Sequence, residues 1–234
     1  MKEIKLPHSP NVKKTNFRGS PERNLNAMKY LRKKFKDCCV IIPEVNYKSF
    51  THEDVSLRWI QTNKKSGHFS IPNGFWTLFT KCEDKRFIIF PFGFTCINNG
   101  GHANYIIYDK YTKSMERFES YGKSKRSCTN PIKLDIKIKK LFDENLGREF
   151  IKKYYKPLDF MTSKSFQSIQ EDEKEYILGD PEGGFCAAFA CWYAELRMSN
   201  PNKDRKRLVK IALERLQNNN ISLTEYIRGY STTI

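Results

Sequence analysis

A transition from loop to helix in the last quarter of the chain constrains the fold more than any other stretch. Residues 179–184, Gly-Asp-Pro-Glu-Gly-Gly, are rich in turn formers and helix breakers. Apolar residues then recur with helical spacing along one face, at Phe185, Ala188, Phe189, Trp192 and Leu196. The stretch therefore predicts a loop that leads directly into a buried helix.

Cys186 stands where this loop becomes the helix. Unpaired backbone N–H groups and the positive end of the helix dipole gather there, and they favour the nucleophilic thiolate. The alternative is a packing role, because cysteine is among the most buried residue types. The same alternative applies to Cys191, one turn further along. Gly183 and Gly184 carry no side chains and would let a substrate chain approach closely, so we predict that they bind substrate.

The composition is that of a packed globular protein. Hydrophobic residues make up 39% of the 234 residues and aromatic residues 14%, which argues against disorder. No apolar run approaches the roughly 18 residues that a membrane span needs. The N-terminus carries no apolar stretch of signal-peptide length. We therefore expect no membrane span.

The seven cysteines are an odd number at irregular spacing, which does not resemble a disulfide framework. They predict reduced thiols in a cytosol-like compartment. There is no Cys-x-x-Cys, and the four histidines do not pair at ligand spacing, so we expect neither a metal nor another cofactor.

The net charge of +16 is large for a chain of this length. It predicts attraction to nucleic acid or to an acidic partner through a basic surface. The basic residues are spread along the sequence without a nucleic-acid recognition motif, so a solvated basic surface is an equally good interpretation.

The chain reads as one domain preceded by a short arm. Residues 1–20 are polar and predict a mobile basic arm, and residues 21–234 predict a single domain. Aromatic and β-branched runs predict a hairpin of strands at 75–81 and 86–92. A second predicted hairpin joins strands at 102–108 and 114–121.

The second hairpin brings a histidine and an acid together. If its turn pairs Tyr108 with Lys113, His102 falls opposite Glu119, with Cβ atoms about 4.5–5.5 Å apart. A slip of one residue would place the two side chains on opposite faces. The alternative is an exposed cross-strand pair without a catalytic role.

A thiol at a helix N-terminus, an imidazole and an orienting carboxylate are the parts of a cysteine nucleophile site. Such a site also needs donors for the developing oxyanion. The backbone N–H of Cys186 is one candidate. A side-chain amide from the stretch Phe166-Gln-Ser-Ile-Gln170 is another.

The order and spacing of these residues resemble the adenovirus-protease and ubiquitin-like-protease superfamily, in particular the protease-like proteins of large DNA viruses. The resemblance runs over residues 75–200 and rests on four stretches. They are Gly-Gly-His at 100–102, Arg-Phe-Glu-Ser-Tyr-Gly at 117–122, Gln-Ser-Ile-Gln at 167–170, and Cys-Ala-Ala-Phe at 186–189. It implies an α+β, papain-like, circularly permuted fold. In that fold a central, mainly antiparallel sheet packs against the nucleophile-bearing helix and flanking helices.

The resemblance also implies roles for individual residues. Cys186 would be the nucleophile, His102 the base and Glu119 the residue that orients it. The oxyanion amide would come from Gln170, with Gln167 as the alternative. No metal or organic cofactor is implied.

The chain departs from the superfamily pattern at three positions. Asp180 stands six residues before the cysteine, where relatives have glutamine, so Gln170 fits only with an insertion over 171–178. Ala103 follows the histidine where many relatives have tryptophan, and Ala187 replaces a frequent glycine. These departures keep open a fold that has lost its activity.

The implied function is a cysteine endopeptidase that processes viral structural precursor proteins during virion assembly, in the virion and the host cytoplasm. One alternative is an isopeptidase that removes ubiquitin or a ubiquitin-like modifier with the same site. The other is an inactive structural or nucleic-acid-associated virion protein. The expected partners are a protein substrate, either a polyprotein or a modifier tail, and nucleic acid through the basic surface.

Overall fold

The computed structural model describes residues 4–12, 15, 17, 19–63, 66–82, 84–97, 100–122, 130–173 and 185–234. Its strands are β1 (Cys38–Val40), β2 (Leu57–Gln61), β3 (Gly67–Ser70), β4 (Phe87–Cys96), β5 (Gly100–Asp109), β6 (Ser114–Arg117) and β7 (Lys153–Tyr155). Its helices are α1 (Pro21–Lys34), α2 (His52–Val55), α3 (Phe75–Thr80), α4 (Pro131–Leu146), α5 (Pro157–Phe160), α6 (Phe166–Asp172), α7 (Cys186–Ser199), α8 (Arg205–Asn218) and α9 (Leu223–Ser231). The fold is therefore of mixed α and β structure.

The strands form one sheet in the order β3-β2-β4-β5-β6-β7, and β1 also pairs with β4. The β2–β3, β4–β5 and β5–β6 pairs are antiparallel, whereas β1–β4, β2–β4 and β6–β7 are parallel. The sheet is therefore mixed, and the prediction of a mainly antiparallel sheet holds only in part. The long β4–β5 ladder makes antiparallel residue pairs the more numerous, but half of the strand pairings are parallel. Parallel neighbours need a crossover, which α4 supplies between β6 and β7. The circularly permuted, papain-like arrangement stays a prediction.

Strand β4 lies at the centre and is covered on both faces. Phe87 and Ile89 pack in a cluster with α1, α7, α8 and α9. Ile88 and Phe90 pack on the other face with α3 and α4. A strand buried on both sides has no polar face, which explains the unbroken apolar run of β4.

Helix α7 is a central helix and is buried along almost its whole length. Its alanines, Ala187, Ala188, Ala190 and Ala194, are small enough to let it lie close to its neighbours. The Tyr193 ring stacks on Phe118 with ring centroids 4.4 Å apart. The predicted loop-to-helix transition thus places its helix in the core.

The first predicted hairpin is wrong, because Phe75–Thr80 is the helix α3 and not a strand. Gly74 precedes this helix in the left-handed region, with φ of 71°, which suits glycine. Phe75 and Phe79 are one turn apart and both buried, where they pack against Phe142 of α4. The aromatic residues of this run are buried with a spacing of four, which is helical.

The prediction of a mobile arm over residues 1–20 is wrong for the described part of that range. Ile4 and Phe17 are 3% and 2% exposed. The Ser9 hydroxyl donates to the Tyr226 carbonyl at 2.6 Å, and the Lys5 N–H donates to Asn200 Oδ1 at 2.8 Å. These apolar and polar contacts hold the segment against the C-terminal helices.

Phe17 is the strongest test of this docking, because its ring stacks on Phe185 with centroids 6.2 Å apart. We expect Phe17→Ala to lower the free energy of unfolding by about 3–5 kcal/mol, since it empties a filled core position. Denaturant unfolding measures the effect. Tyr111→Ala, at a side chain 77% exposed, is the control that should leave the midpoint nearly unchanged. Equal midpoints for the two variants would contradict the docking.

The prediction that all cysteines are reduced thiols is wrong for part of the set. Cys39 of β1 and Cys82, just after α3, form a disulfide with their Cα atoms 5.7 Å apart, which is within the usual range. Cys96 is also disulfide-bonded. The free thiols among the described cysteines are Cys38, Cys186 and Cys191. The packing of α3 beside β1 brings Cys39 and Cys82 together, and their separation of 43 residues carries no signal of it.

Candidate active site

His102 and Glu119 meet at the end of the β5–β6 ladder. His102 Nε2 lies 2.6 Å from Glu119 Oε1. The ladder pairs Tyr108 with Met115 rather than with Lys113, so the predicted register is wrong by two residues. A slip of two keeps every side chain on its face, which is why the histidine and the acid still meet.

Glu119 is held by further donors besides the imidazole. The Tyr121 N–H donates to Oε1 at 3.3 Å, and Arg117 Nη1 donates to Oε2 at 3.4 Å. Arg117 is itself fixed by two bonds to Asp135, at 2.7 and 3.1 Å. Burial raises the pKa of Glu119, but the charges of His102 and Arg117 outweigh burial and lower it below its usual value. Glu119 is therefore a fixed, ionised partner for the histidine.

Cys186 is the first residue of α7 and lies close enough to His102 for the imidazole to lower the pKa of the thiol. Because Nε2 faces Glu119, Nδ1 is the ring nitrogen that remains for the thiol. Burial raises the pKa of Cys186, but the His102 charge and its hydrogen bond lower it overall. Burial likewise lowers the pKa of His102, but the charges of Glu119 and Cys186 raise it to about 10. Opposite shifts of this kind favour a thiolate–imidazolium pair.

The other two free thiols have the opposite electrostatic environment. Burial raises the pKa of Cys191 to about 12 and that of Cys38 to about 11. Cys191 is fully buried, with its Sγ 3.4 Å from the Tyr230 hydroxyl. Cys191 therefore has the features of a core thiol, whereas Cys186 has those of a nucleophile.

Cys186 and His102 open onto a cleft of about 410 Å³. The polar side chains that line it and were not predicted from the sequence include Asn24 of α1, His52 of α2 and Arg58 of β2. Asn24 Nδ2 lies 3.4 Å from His52 Nδ1. These residues lie far from Cys186 in the chain and belong to no motif, so only the packing of α1, α2 and β2 beside α7 brings them to the site.

The predicted oxyanion glutamines both lie on α6, and neither is among the described residues that line the cleft. The Gln167 amide is used elsewhere: Oε1 accepts from the Ser120 hydroxyl at 2.7 Å, and Nε2 donates to the Tyr121 hydroxyl at 3.0 Å. The backbone carbonyl of Gln170 accepts a hydrogen bond from the Thr224 hydroxyl at 3.4 Å. Gly183 and Gly184, predicted to bind substrate, lie outside the described residues.

A search of the described ranges finds neither a metal-binding group of His, Cys, Asp and Glu nor a helix that is both long and apolar enough to cross a membrane.

Comparison with known proteins finds one curated relative and several solved structures that resemble this chain in part. No family model matches the chain. The "Putative ankyrin repeat protein L371" of Acanthamoeba polyphaga mimivirus is 27% identical over 256 aligned positions. The alignment covers 100% of this chain and 33% of the relative, so the chain spans about a third of that protein's length.

Three of the similar structures are chlamydial proteins. ChlaDub1 from Chlamydia trachomatis has a TM-score of 0.47 at 10% identity, with 95% of each chain covered. The effector protein ChlaDUB of Chlamydia abortus has a TM-score of 0.41 at 12% identity, with 91% of this chain and 99% of that one covered. The Chlamydia trachomatis effector protein Cdu1, bound to ubiquitin, has a TM-score of 0.40 at 9% identity, with 90% of this chain and 98% of that one covered.

Proposed function

We propose that the protein is a cysteine peptidase in which Cys186 is the nucleophile, His102 the acid and base, and Glu119 the residue that orients His102. The observation that carries the proposal is the arrangement of the three groups. The thiol stands at the start of a buried helix beside the imidazole, and the imidazole is hydrogen-bonded to a fixed carboxylate at 2.6 Å. Charge and hydrogen bonding lower the pKa of this thiol alone among the described free cysteines.

The reaction follows from these positions. The Cys186 thiolate attacks the carbonyl carbon of the scissile bond, and the C–N bond breaks as the His102 imidazolium gives its proton to the leaving amine. A thioester remains on Cys186. Water, deprotonated by His102, attacks this thioester, and the carboxylic acid product leaves as the thiol regains a proton.

The developing oxyanion needs donors on the cleft side of Cys186. The backbone N–H of Cys186, at the N-terminus of α7, is one such donor. Asn24 offers the side-chain amide that the predicted glutamines do not bring to the cleft. Asn24 is 5% exposed, so the rest of the fold holds its amide in place.

Two substrate classes fit this chemistry, a modifier tail on a protein and a peptide bond of a precursor protein. Ubiquitin is bound to one of the structurally similar proteins, so a ubiquitin tail is the first substrate to test. Precursor cleavage during virion assembly and binding of nucleic acid stay predictions. The curated relative is a viral protein, but its name describes no protease activity.

The test is covalent labelling of the full chain by ubiquitin that carries a vinyl electrophile at its C-terminus. We expect a ubiquitin adduct on Cys186, located by peptide mass spectrometry. The adduct should be lost in Cys186→Ala and kept in Cys191→Ala, which removes the neighbouring core thiol. Cleavage of a peptide library without a ubiquitin adduct would instead assign the precursor-processing activity. Absence of both, in a folded protein, would overturn the peptidase proposal.

A further inference from the structure

Arg58 places a buried positive charge in the cleft of Cys186. The residue is 6% exposed and lines the cleft. Among the described residues its guanidinium contacts neutral oxygens: Nη2 donates to Thr95 Oγ1 at 3.0 Å and to the Phe94 carbonyl at 3.4 Å, and Nη1 donates to Ser56 Oγ at 3.5 Å. No carboxylate of the described ranges forms a salt bridge with it.

Three other buried arginines among the described residues have a carboxylate partner. Arg117 pairs with Asp135 and Glu119, and both Arg197 and Arg205 pair with Glu116. A buried charge is costly unless an opposite charge accompanies it, and these pairs follow that rule. Arg58 does not follow this rule. It lies in the cleft, where a ligand could supply the missing negative charge.

The sheet is shaped to make room for this side chain. A Cβ atom at Gly93 would lie 2.6 Å from Arg58 Nη1, and one at Gly101 would lie 3.2 Å from Nη2. Arg58 pairs with Gly93 across β2 and β4, and Gly93 pairs with Ala103 of β5. The guanidinium therefore extends from β2 across β4 towards the residue before His102.

The titratable groups around the guanidinium leave its charge available. Burial lowers the pKa of Arg58, while the charges of Glu53 and Cys186 oppose that shift. Glu53 also lines the cleft, but its side chain is exposed, accepts a hydrogen bond from Ser70 at 2.8 Å and forms no salt bridge with Arg58 among the described contacts. Burial and the Arg58 charge lower the pKa of His52, which favours its neutral form. The cleft thus presents the buried Arg58 guanidinium next to the proposed nucleophile, in addition to the His102 imidazolium.

We propose that Arg58 is a specificity residue that binds a substrate carboxylate beside the bond that Cys186 attacks. The proposal rests on the proposed peptidase function and adds a substrate class to it: acidic segments rather than neutral or basic ones. The carboxylate is either an acidic side chain or the C-terminus of the substrate.

The test compares two small alkylating reagents of the same shape, iodoacetate and iodoacetamide. Both form an S–C bond with Cys186 and release iodide, but only iodoacetate carries a carboxylate. We expect Arg58→Gln to lower the iodoacetate rate at Cys186 by at least about tenfold, as the loss of a charged hydrogen bond predicts. The iodoacetamide rate should change little. Arg32→Gln, on the exposed surface of α1, removes the same charge and should leave the ratio of the two rates unchanged.

The outcomes separate this proposal from the peptidase function. If Cys186 reacts rapidly with iodoacetamide but Arg58→Gln leaves the ratio of rates unaltered, the Arg58 proposal fails and the function stands. If Cys186 reacts with neither reagent, the function fails. The Arg58 proposal is then tested separately in Cys186→Ala. The rate at which phenylglyoxal modifies Arg58 is measured in acetate and in acetamide at equal ionic strength. Protection by acetate alone supports the carboxylate site, and equal modification in both overturns it.

Cleavage of a peptide library separates the two sources of the carboxylate. Enrichment of Asp or Glu at one fixed position from the cleaved bond would assign the acidic side chain. Cleavage at a fixed distance from the peptide C-terminus would assign the terminal carboxylate. In either case the preference should be lost in Arg58→Gln, and a preference that persists in this variant overturns the role of Arg58.

Discussion

Replacing His102 by alanine is expected to slow the alkylation of Cys186 by iodoacetamide at pH 6 by on the order of a hundredfold, because the thiolate loses the imidazolium that stabilises it. Only the thiolate reacts, so the rate follows the ionised fraction. In the unaltered protein the lowered pKa of Cys186 keeps that fraction high at a pH where an ordinary thiol is protonated. The rate should then be lost only as the pH falls through the lowered pKa.

In His102→Ala the sign of the shift reverses. Burial, which raises the pKa of Cys186, remains, while the opposing charge and hydrogen bond of His102 are gone. The reactive range should therefore move to alkaline pH, where the rate can recover. Peptide mass spectrometry of the protein labelled across pH 5–10 measures this shift. That range of about five pH units includes the pKa of an unperturbed cysteine thiol.

His52→Ala is the matched control, because His52 lines the same cleft but contacts Asn24 and not the thiol. Its pH profile at Cys186 should resemble that of the unaltered protein. Cys191, whose pKa burial raises to about 12, is an internal reference that should stay unlabelled throughout. Equal profiles for the two histidine variants would show that His102 does not ionise Cys186.

Replacing Glu116 by glutamine is expected to lower the free energy of unfolding by about 3–5 kcal/mol, since it leaves buried guanidinium groups without their counter-charge. Glu116 is 1% exposed and forms salt bridges with Arg197 and Arg205. It also accepts a hydrogen bond from the Tyr193 hydroxyl at 2.9 Å. These bonds connect β6 to α7 and α8. Their loss should therefore also weaken the packing of α7, the helix that carries Cys186.

Glu144→Gln makes the same chemical change on the surface of α4, where the side chain is 58% exposed and pairs with Lys140 at 3.5 Å. Its effect should stay below about 0.5 kcal/mol. Denaturant titration of both variants measures the difference, with an unchanged slope indicating that stability and not compactness changed. A loss in Glu116→Gln no larger than that of the surface control would contradict the buried network.

The partnership of His102 and Glu119 could be predicted because strand geometry has a period of two. The predicted turn, 109–112, lies one residue before the turn at 110–113, which shifts the register by two residues, yet this even shift keeps both side chains on one face. The prediction of a strand at 75–81 is wrong, and the reason also concerns the period of the sequence pattern. A run of aromatic residues has no clear period, and the packing of Phe75 and Phe79 against Phe142 decides that it is a helix.

The side-chain amide that we propose for the oxyanion could not be predicted in the same way. Gln167 and Gln170 were chosen from the stretch that precedes the nucleophile, but tertiary packing gives the Gln167 amide to Ser120 and Tyr121. Asn24 reaches the cleft from the other end of the chain. A side chain that approaches a site from a distant element leaves no local pattern in the sequence.

Local signals in the sequence were enough to predict two elements: the helix that begins at Cys186, and the β5–β6 hairpin with the face shared by His102 and Glu119. Tertiary structure alone decided the charge states and the contents of the cleft. The pKa directions of Cys186, Cys191 and Arg58 depend on burial and on charges supplied by other elements. Local propensity fixes where a chain turns or coils, whereas electrostatic energy depends on distances that only the packed fold sets.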